Sequence, residues 1–306
     1  MKGLELSEKF YTEHGKPMLL SGFESVMDKL AVGLVGGGSE CLGFDDEYSH
    51  DHDFEPGFCI FISDAVDEKT EFELKRAYSR LPREFMGFKR PVTEAVGGSR
   101  HGVFRISDFV MQKTGTPDGK LTLVDWLYTP EQSLLELTNG KLFFDGSGEL
   151  TNIRKRLEYL PEDVRLKKLA GNLLLMGQSG QYNYPRCVKR GESAAAALAV
   201  SEFVKSALNV IFLINKQYIP YYKWSFRALS KLSRLSSLYQ PLESLLTEQN
   251  DNKQQQIESV CEMIITELRA DTLTDFFGAE AEGHAYSVNN KITDHNIRNM
   301  HILAAI

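Results

Sequence analysis

The sequence predicts a small α/β (α+β) domain built on a mixed sheet over residues 1–150, followed by an all-helical domain over residues 151–306. Three observations predict this. Up to about residue 150, short apolar runs that stop at glycine turns are interleaved with helical spacing. Beyond that point nearly every segment carries helical spacing. In that second half, Ile257, Val260, Cys261, Ile264 and Leu268 recur at i, i+3, i+4, i+7 and i+11, the stripe of an amphipathic helix. A chain of 306 residues has room for one large or two ordinary domains, and 42% hydrophobic with 25% charged residues is ordinary for a packed globular protein.

Taken in order, Leu4 to His14 reads as a first helix ended by Gly15 and Pro17, and Phe23 to Leu30 as a second. Ala31 to Val35 is an apolar strand that stops at Gly36-Gly37-Gly38. Phe58 to Ile62 is a strand entered through Pro56-Gly57, and Asp67 to Leu81 has helical spacing. Gly102 to Met111 and Leu121 to Tyr128 are strand candidates, and Lys141 to Phe144 is an apolar run turned by Asp145-Gly146. In the second half, a helix begins at Leu150 to Tyr159, and Pro161-Glu162-Asp163 opens another that runs to Met176. Ala194 to Lys216 and Trp224 to Leu235 are further helices, and Glu248 to Gln256 is a polar loop running into a helix start. The last twenty residues carry no clear assignment.

The bulk properties exclude several classes. A net charge of −7, with a pI near 5.6, disfavours a nucleic-acid platform, which needs a basic surface. The four cysteines, Cys41, Cys59, Cys187 and Cys261, form no CxxC pair and suit a reduced, cytoplasmic protein. The first residues lack the apolar run of a signal peptide. Ala194 to Asn215 is the most apolar stretch, but Glu202, Lys205 and Asn209 make it a buried helix rather than a membrane span. The sequence is silent on oligomeric state.

The chemistry concentrates between Gly36 and Asp53. A strand feeds a glycine turn with Ser39; after eleven intervening residues come Asp51 and Asp53, and a strand follows. Residues i and i+2 of an extended chain face one side, so Asp51 and Asp53 can aim two hard oxygen donors at one point, as Mg²⁺ requires. A glycine turn lets backbone N–H groups approach a phosphate closely, and Ser39 adds a hydroxyl.

A strand, Gly38-Ser39, roughly a dozen residues and Asp51-His52-Asp53 together resemble the signature of the polymerase-beta-like nucleotidyltransferase superfamily. The runs Gly38 to Gly57, Val124 to Pro130 and Met176 to Arg186 look like one bacterial family of nucleotidyltransferase-like proteins with no settled function. The resemblance implies a nucleotidyltransferase-like catalytic domain over residues 1–150, in which Gly38 and Ser39 contact nucleotide phosphates and Asp51 and Asp53 bind Mg²⁺. It also implies a third acid. Asp125, within the apolar run Leu121 to Tyr128, is the first choice as metal ligand and base, with Asp108 and Asp145 as rivals. The superfamily has an apolar residue where His52 stands; on a strand His52 would point away from the metals.

Each feature has a plainer reading. Glycine turns are common, and Asp45, Asp46, Glu47 and Glu55 make a solvated acidic loop plausible; the joint spacing favours the site. Ser49 to Asp53 also admits a zinc reading, but His14, His101, His284, His295 and His301 show no matching ligand spacing. Arg165, Lys167, Lys168, Arg186, Lys189 and Arg190 are local cations, each either a cleft residue or part of a solvated helix face. Lys168 is taken as the nucleotide-binding candidate among them. Tyr182 and Tyr184 either stack on a base or acceptor or pack.

The expected activity is Mg²⁺-dependent (or Mn²⁺-dependent) transfer of a nucleoside monophosphate from an NTP, with ATP the first choice, to a small-molecule or protein acceptor. The alternative is a catalytically silent nucleotide-binding or partner-binding module of toxin–antitoxin-like type.

Overall fold

The computed structural model describes residues 1–50, 54–90, 100–248, 251–304 and 306. The chain divides into two compact units, residues 1–121 with 132–158, and residues 122–131 with 159–306.

The first unit is built on a mixed four-stranded sheet, the α+β architecture expected. Its strands are β1 (Leu30–Leu34), β2 (Cys59–Ile62), β5 (Gly102–Arg105) and β6 (Lys141–Asp145), in the order β5-β2-β1-β6. β1 runs antiparallel to β2 and β6, and β2 runs parallel to β5. Between β2 and β5 lies a two-residue ladder of β3 (Glu84–Phe85) and β4 (Phe88–Lys89). Met86 and Gly87, both at positive φ, close that hairpin, as a primed two-residue turn requires.

Side-chain alternation gives the sheet two different faces. Leu30, Val32, Phe58, Ile60, Ile62 and Val103 point into one buried core with Leu6, Phe10, Leu19 and Leu74. The neighbouring positions Cys59, Phe61 and Phe104 face the other way and line a cleft. Strand β1 is buried along its whole length, which explains why it reads as a continuous apolar run rather than an alternating one.

Several elements differ from the sequence expectation for identifiable reasons. The first helix does not stop at Gly15 and Pro17. It continues from Gly3 to Gly22 through a π-turn at Tyr11–Gly15. Gly15 is a packing glycine there, since a Cβ at that position would overlap the Phe58 ring. Pro17 falls in the first turn after the π-turn, where a missing N–H is tolerated. The run Gly102 to Met111 is a strand only to Arg105 and then a helix, Ile106–Thr114. The run Leu121 to Tyr128 is not a strand. Thr122 and Asp125 form a reciprocal capping box that starts the helix Leu123–Tyr128.

The second unit is helical. The helix Ser193–Ile214 buries Phe203, Val204, Ala207, Val210, Ile211 and Phe212. It is also the one helix among the described residues long and apolar enough to cross a membrane. The helix does not end at Met176; a π-turn, Gly177–Asn183, joins the helices Glu162–Met176 and Tyr184–Lys189. Gly180 makes this possible by giving way to the Phe203 ring. The stripe predicted from Ile257 to Leu268 is buried on the helix Lys253–Ala270. The unassigned C-terminal segment holds the helices Ala281–Asn290 and His295–Asn299.

Candidate active site

Strand β1 delivers the chain into Gly36, Gly37 and Gly38, and Ser39 begins a single helical turn, Ser39–Leu42. Gly36 and Gly38 sit at φ of 115° and 127°, a region L side chains rarely adopt. The turn is held from behind by Asn139. Its Nδ2 donates to the Gly36 carbonyl at 2.8 Å, and its Oδ1 accepts from the Gly36 N–H at 3.0 Å. From the front it is held by Arg100, whose Nη2 donates to the Gly37 carbonyl at 2.5 Å and forms an ion pair with Glu40. A Cβ at Gly38 would run into the Arg100 guanidinium.

Ser39 lies beside the end of the described acidic segment. Its Oγ is 3.3 Å from the Ser49 Oγ, which in turn donates to Asp46 Oδ1 at 3.2 Å. The segment is anchored upstream by Asp45, which is 2% exposed. Its Oδ2 accepts from the Gly3 N–H at 2.8 Å, and Lys2 stands 3.6 Å from Oδ1.

In front of the glycine turn lies a cleft of about 450 Å³. Leu34, Val35, Phe61, Phe104 and Phe109 make its apolar wall; Arg100, Asp108, Gln112, Lys113 and Glu136 supply polar groups. Lys113 is paired with Glu136, which also accepts from Gln132 at 2.8 Å. Asp108 is exposed, and among the described residues no partner reaches its carboxylate. Burial pushes the Cys59 thiol up to about 12, so the cleft offers no thiolate at neutral pH. An apolar aromatic wall beside glycine amides and cations is chemically suited to a ligand with a flat ring and an anionic tail.

The predicted site residues fare differently. Gly38 and Ser39 come together with Glu40, Ser49 and Arg100 in the first unit. Asp51, His52 and Asp53 lie outside the described residues. Asp145 belongs to the first unit, but its carboxylate caps a helix, accepting from Gly148 N–H at 2.9 Å and Thr151 N–H at 2.8 Å. Asp125 belongs to the second unit. It is not a strand carboxylate; its Oδ2 accepts from Thr122 N–H at 2.9 Å and Thr122 Oγ1 at 2.6 Å. Those two bonds hold its carboxyl below the usual carboxylate range.

Lys168 also belongs to the second unit, 7% exposed and 3.8 Å from Glu131. Its neighbour Lys167 is fully buried and donates to Asn289 Oδ1 and the Met300 carbonyl. Arg165 is 3% exposed and pairs with Glu162. Arg186 stacks 3.9 Å over the Tyr182 ring. Among the described residues no three His, Cys, Asp or Glu side chains gather in a metal-binding group. Sequence reasoning missed Arg100 and the aromatic wall. The alternation Phe58-Cys59-Ile60-Phe61-Ile62 carried a signal for Phe61; Arg100 stands in the glycine-rich run Gly97-Gly98-Ser99-Arg100-His101-Gly102, which the sequence reading left unused.

Residues 126–225 match the model of a family described as a domain of unknown function, DUF4037. That match begins after the glycine turn and the aspartate pair. No curated protein matches the chain. Among solved structures it is similar to a nucleotidyltransferase-like protein from Exiguobacterium sibiricum 255-15, with 12% identity, a TM-score of 0.39, and coverage of 90% of this chain and 80% of that one.

Proposed function

We propose that the first unit is the catalytic domain of a nucleotidyltransferase, moving a nucleoside monophosphate from an NTP to a hydroxyl of a small-molecule acceptor. One observation carries this reading: the glycine turn leaving β1 opens onto an aromatic-walled cleft, with Ser39 hydrogen-bonded to Ser49, two residues ahead of Asp51 in the sequence. The Gly37 and Gly38 amides and the Ser39 hydroxyl are the phosphate donors, the Gly36 N–H being held by Asn139. The donor set suits the metal the motif implies. Gly36 leaves open space beside the turn, and two aspartates at i, i+2 are the hard oxygen ligands that Mg²⁺ or Mn²⁺ takes. Bound there, the metal supplies charge neutralisation on the phosphates and acidifies an acceptor hydroxyl.

In the transfer, the acceptor oxygen bonds to the α-phosphorus, the bond to the bridging oxygen breaks, and pyrophosphate leaves with that electron pair. The acceptor proton needs a base. Asp125 has its carboxylate engaged in a helix cap, so Asp108, whose carboxylate lies open in the cleft, is the better candidate. ATP is the first donor to try. A second reading, a silent nucleotide-binding module, draws support from the engagement of Asp125.

Incubation with α-labelled NTPs, Mg²⁺ or Mn²⁺ and fractionated extract tests the proposal. Label should appear on an acceptor, should vanish with Asp51→Asn, and should fall by orders of magnitude with Asp108→Asn. NTP binding without transfer to any fraction favours the silent module. Conversion of the label only to free NDP or NMP, the products of simple NTP hydrolysis, contradicts both.

A further inference from the structure

Arg100 occupies an unusual position for a surface cation. Its guanidinium lies across the glycine turn, bonded to the Gly37 carbonyl at 2.5 Å and ion-paired with Glu40, which is 8% exposed. It also lines the cleft in front of that turn. Glu40 therefore brings a nearly buried negative charge to the place where, on the nucleotidyltransferase reading, phosphate must bind. A triphosphate would be repelled by Glu40 alone, and Arg100 is the cation the turn itself carries.

We propose that Arg100 is a phosphate-binding residue of the donor pocket, held by Glu40 as a latch until the triphosphate of an NTP takes over its guanidinium. This rests on the nucleotidyltransferase reading and adds to it the residue that grips the phosphates. The planar fork of an arginine can release one carboxylate oxygen and bond two phosphate oxygens. The swap exchanges one ion pair for another and leaves Glu40 facing the triphosphate, so Glu40 opposes it. Glu40 thus weakens donor binding, and Arg100 strengthens it. Because Arg100 stands beside the phosphate-binding backbone, its action concerns the phosphate tail and is independent of the base.

The competing account is that Arg100 merely neutralises Glu40 and keeps the turn in shape. Binding of tripolyphosphate and of the four NTPs, each with Mg²⁺, distinguishes the two in wild type, Arg100→Gln, Glu40→Gln and the double variant, with thermal unfolding as a check on folding. The latch predicts that Arg100→Gln weakens tripolyphosphate and every NTP by about 10–100-fold, the range for hydrogen bonds to charged groups. It predicts that Glu40→Gln tightens them several-fold and that the double variant stays weak. Wild-type affinity in the double variant, or in Arg100→Gln, overturns the proposal. Glu40→Gln, which retains Arg100, gives an independent reading should Arg100→Gln unfold: unchanged or weakened binding there also overturns the latch. Failure of the wild type to bind any of these probes removes the nucleotidyltransferase reading and the latch together. Binding that is lost in Asp51→Asn but untouched in Arg100→Gln removes the latch alone.

Discussion

Two residue-scale features make direct predictions. Gly38 combines a φ of 127° with a neighbouring guanidinium where a Cβ would stand. Gly38→Ala should lower stability by about 1–3 kcal/mol, the usual cost of a residue forced into such a conformation, read as the shift of the urea midpoint. Stability equal to wild type would mean the turn is not held as described. The second feature is the buried pair of Lys168 and Glu131, whose side chains are 9% and 14% exposed. Burial pushes the Glu131 carboxyl above its usual 4.5, against the pull of Lys168. Burial also pushes Lys168 below its usual 10.5, against the pull of Glu131. Glu131 therefore contributes stability that is full below pH 4.5 and lost as pH rises through its folded value. Lys168 contributes stability that is full above pH 10.5 and lost as pH falls through its folded value. Lys168→Met should cost about 3–5 kcal/mol by stranding a buried carboxylate, whereas Lys168→Met with Glu131→Leu should be near neutral. Equal losses in the single and double variants would contradict the pairing.

At the scale of elements, two π-turns carry continuous helices through glycines that look like terminators. Gly15→Ala should overpack against the Phe58 ring and cost about 1–3 kcal/mol; a gain in stability from the improved helix propensity would show that the ring is free to move. The elements legible in the sequence were those whose burial produced a pattern. The strands β1 and β2 are wholly buried and read as apolar runs, and the stripe from Ile257 to Leu268 reads as a helix face. Where glycine serves packing instead of a turn, as at Gly15 and Gly180, the sequence looks the same for both uses. Leu121 to Tyr128 misled for another reason. Its apolar residues fit a strand, but the cap formed by Thr122 and Asp125 decides for helix. The signal was present in the spacing of a threonine and an acid three residues apart.

For the whole molecule, the charge of −7 disfavours long nucleic acids as partners. Single-stranded RNA should show no salt-dependent association; a steep fall of affinity with salt would move the acceptor to RNA. Gly38, Ser39, Asp51 and Asp53 could be read together from the sequence because they lie within one short segment. Asp108 and Arg100 come from around strand β5, brought to the glycine turn by the parallel pairing of β5 with β2. Such long-range pairing leaves no local trace in the sequence.

The central proposal is that Gly38, Ser39, Asp51 and Asp53 together bind an NTP with Mg²⁺. The most direct test is thermal unfolding of wild type, Asp51→Asn and Asp53→Asn with NTP, with and without Mg²⁺. Stabilisation of the wild type only when both are present, absent in both variants while their unliganded melting stays near wild type, is the predicted result. Equal Mg²⁺-dependent stabilisation in all three proteins would contradict it.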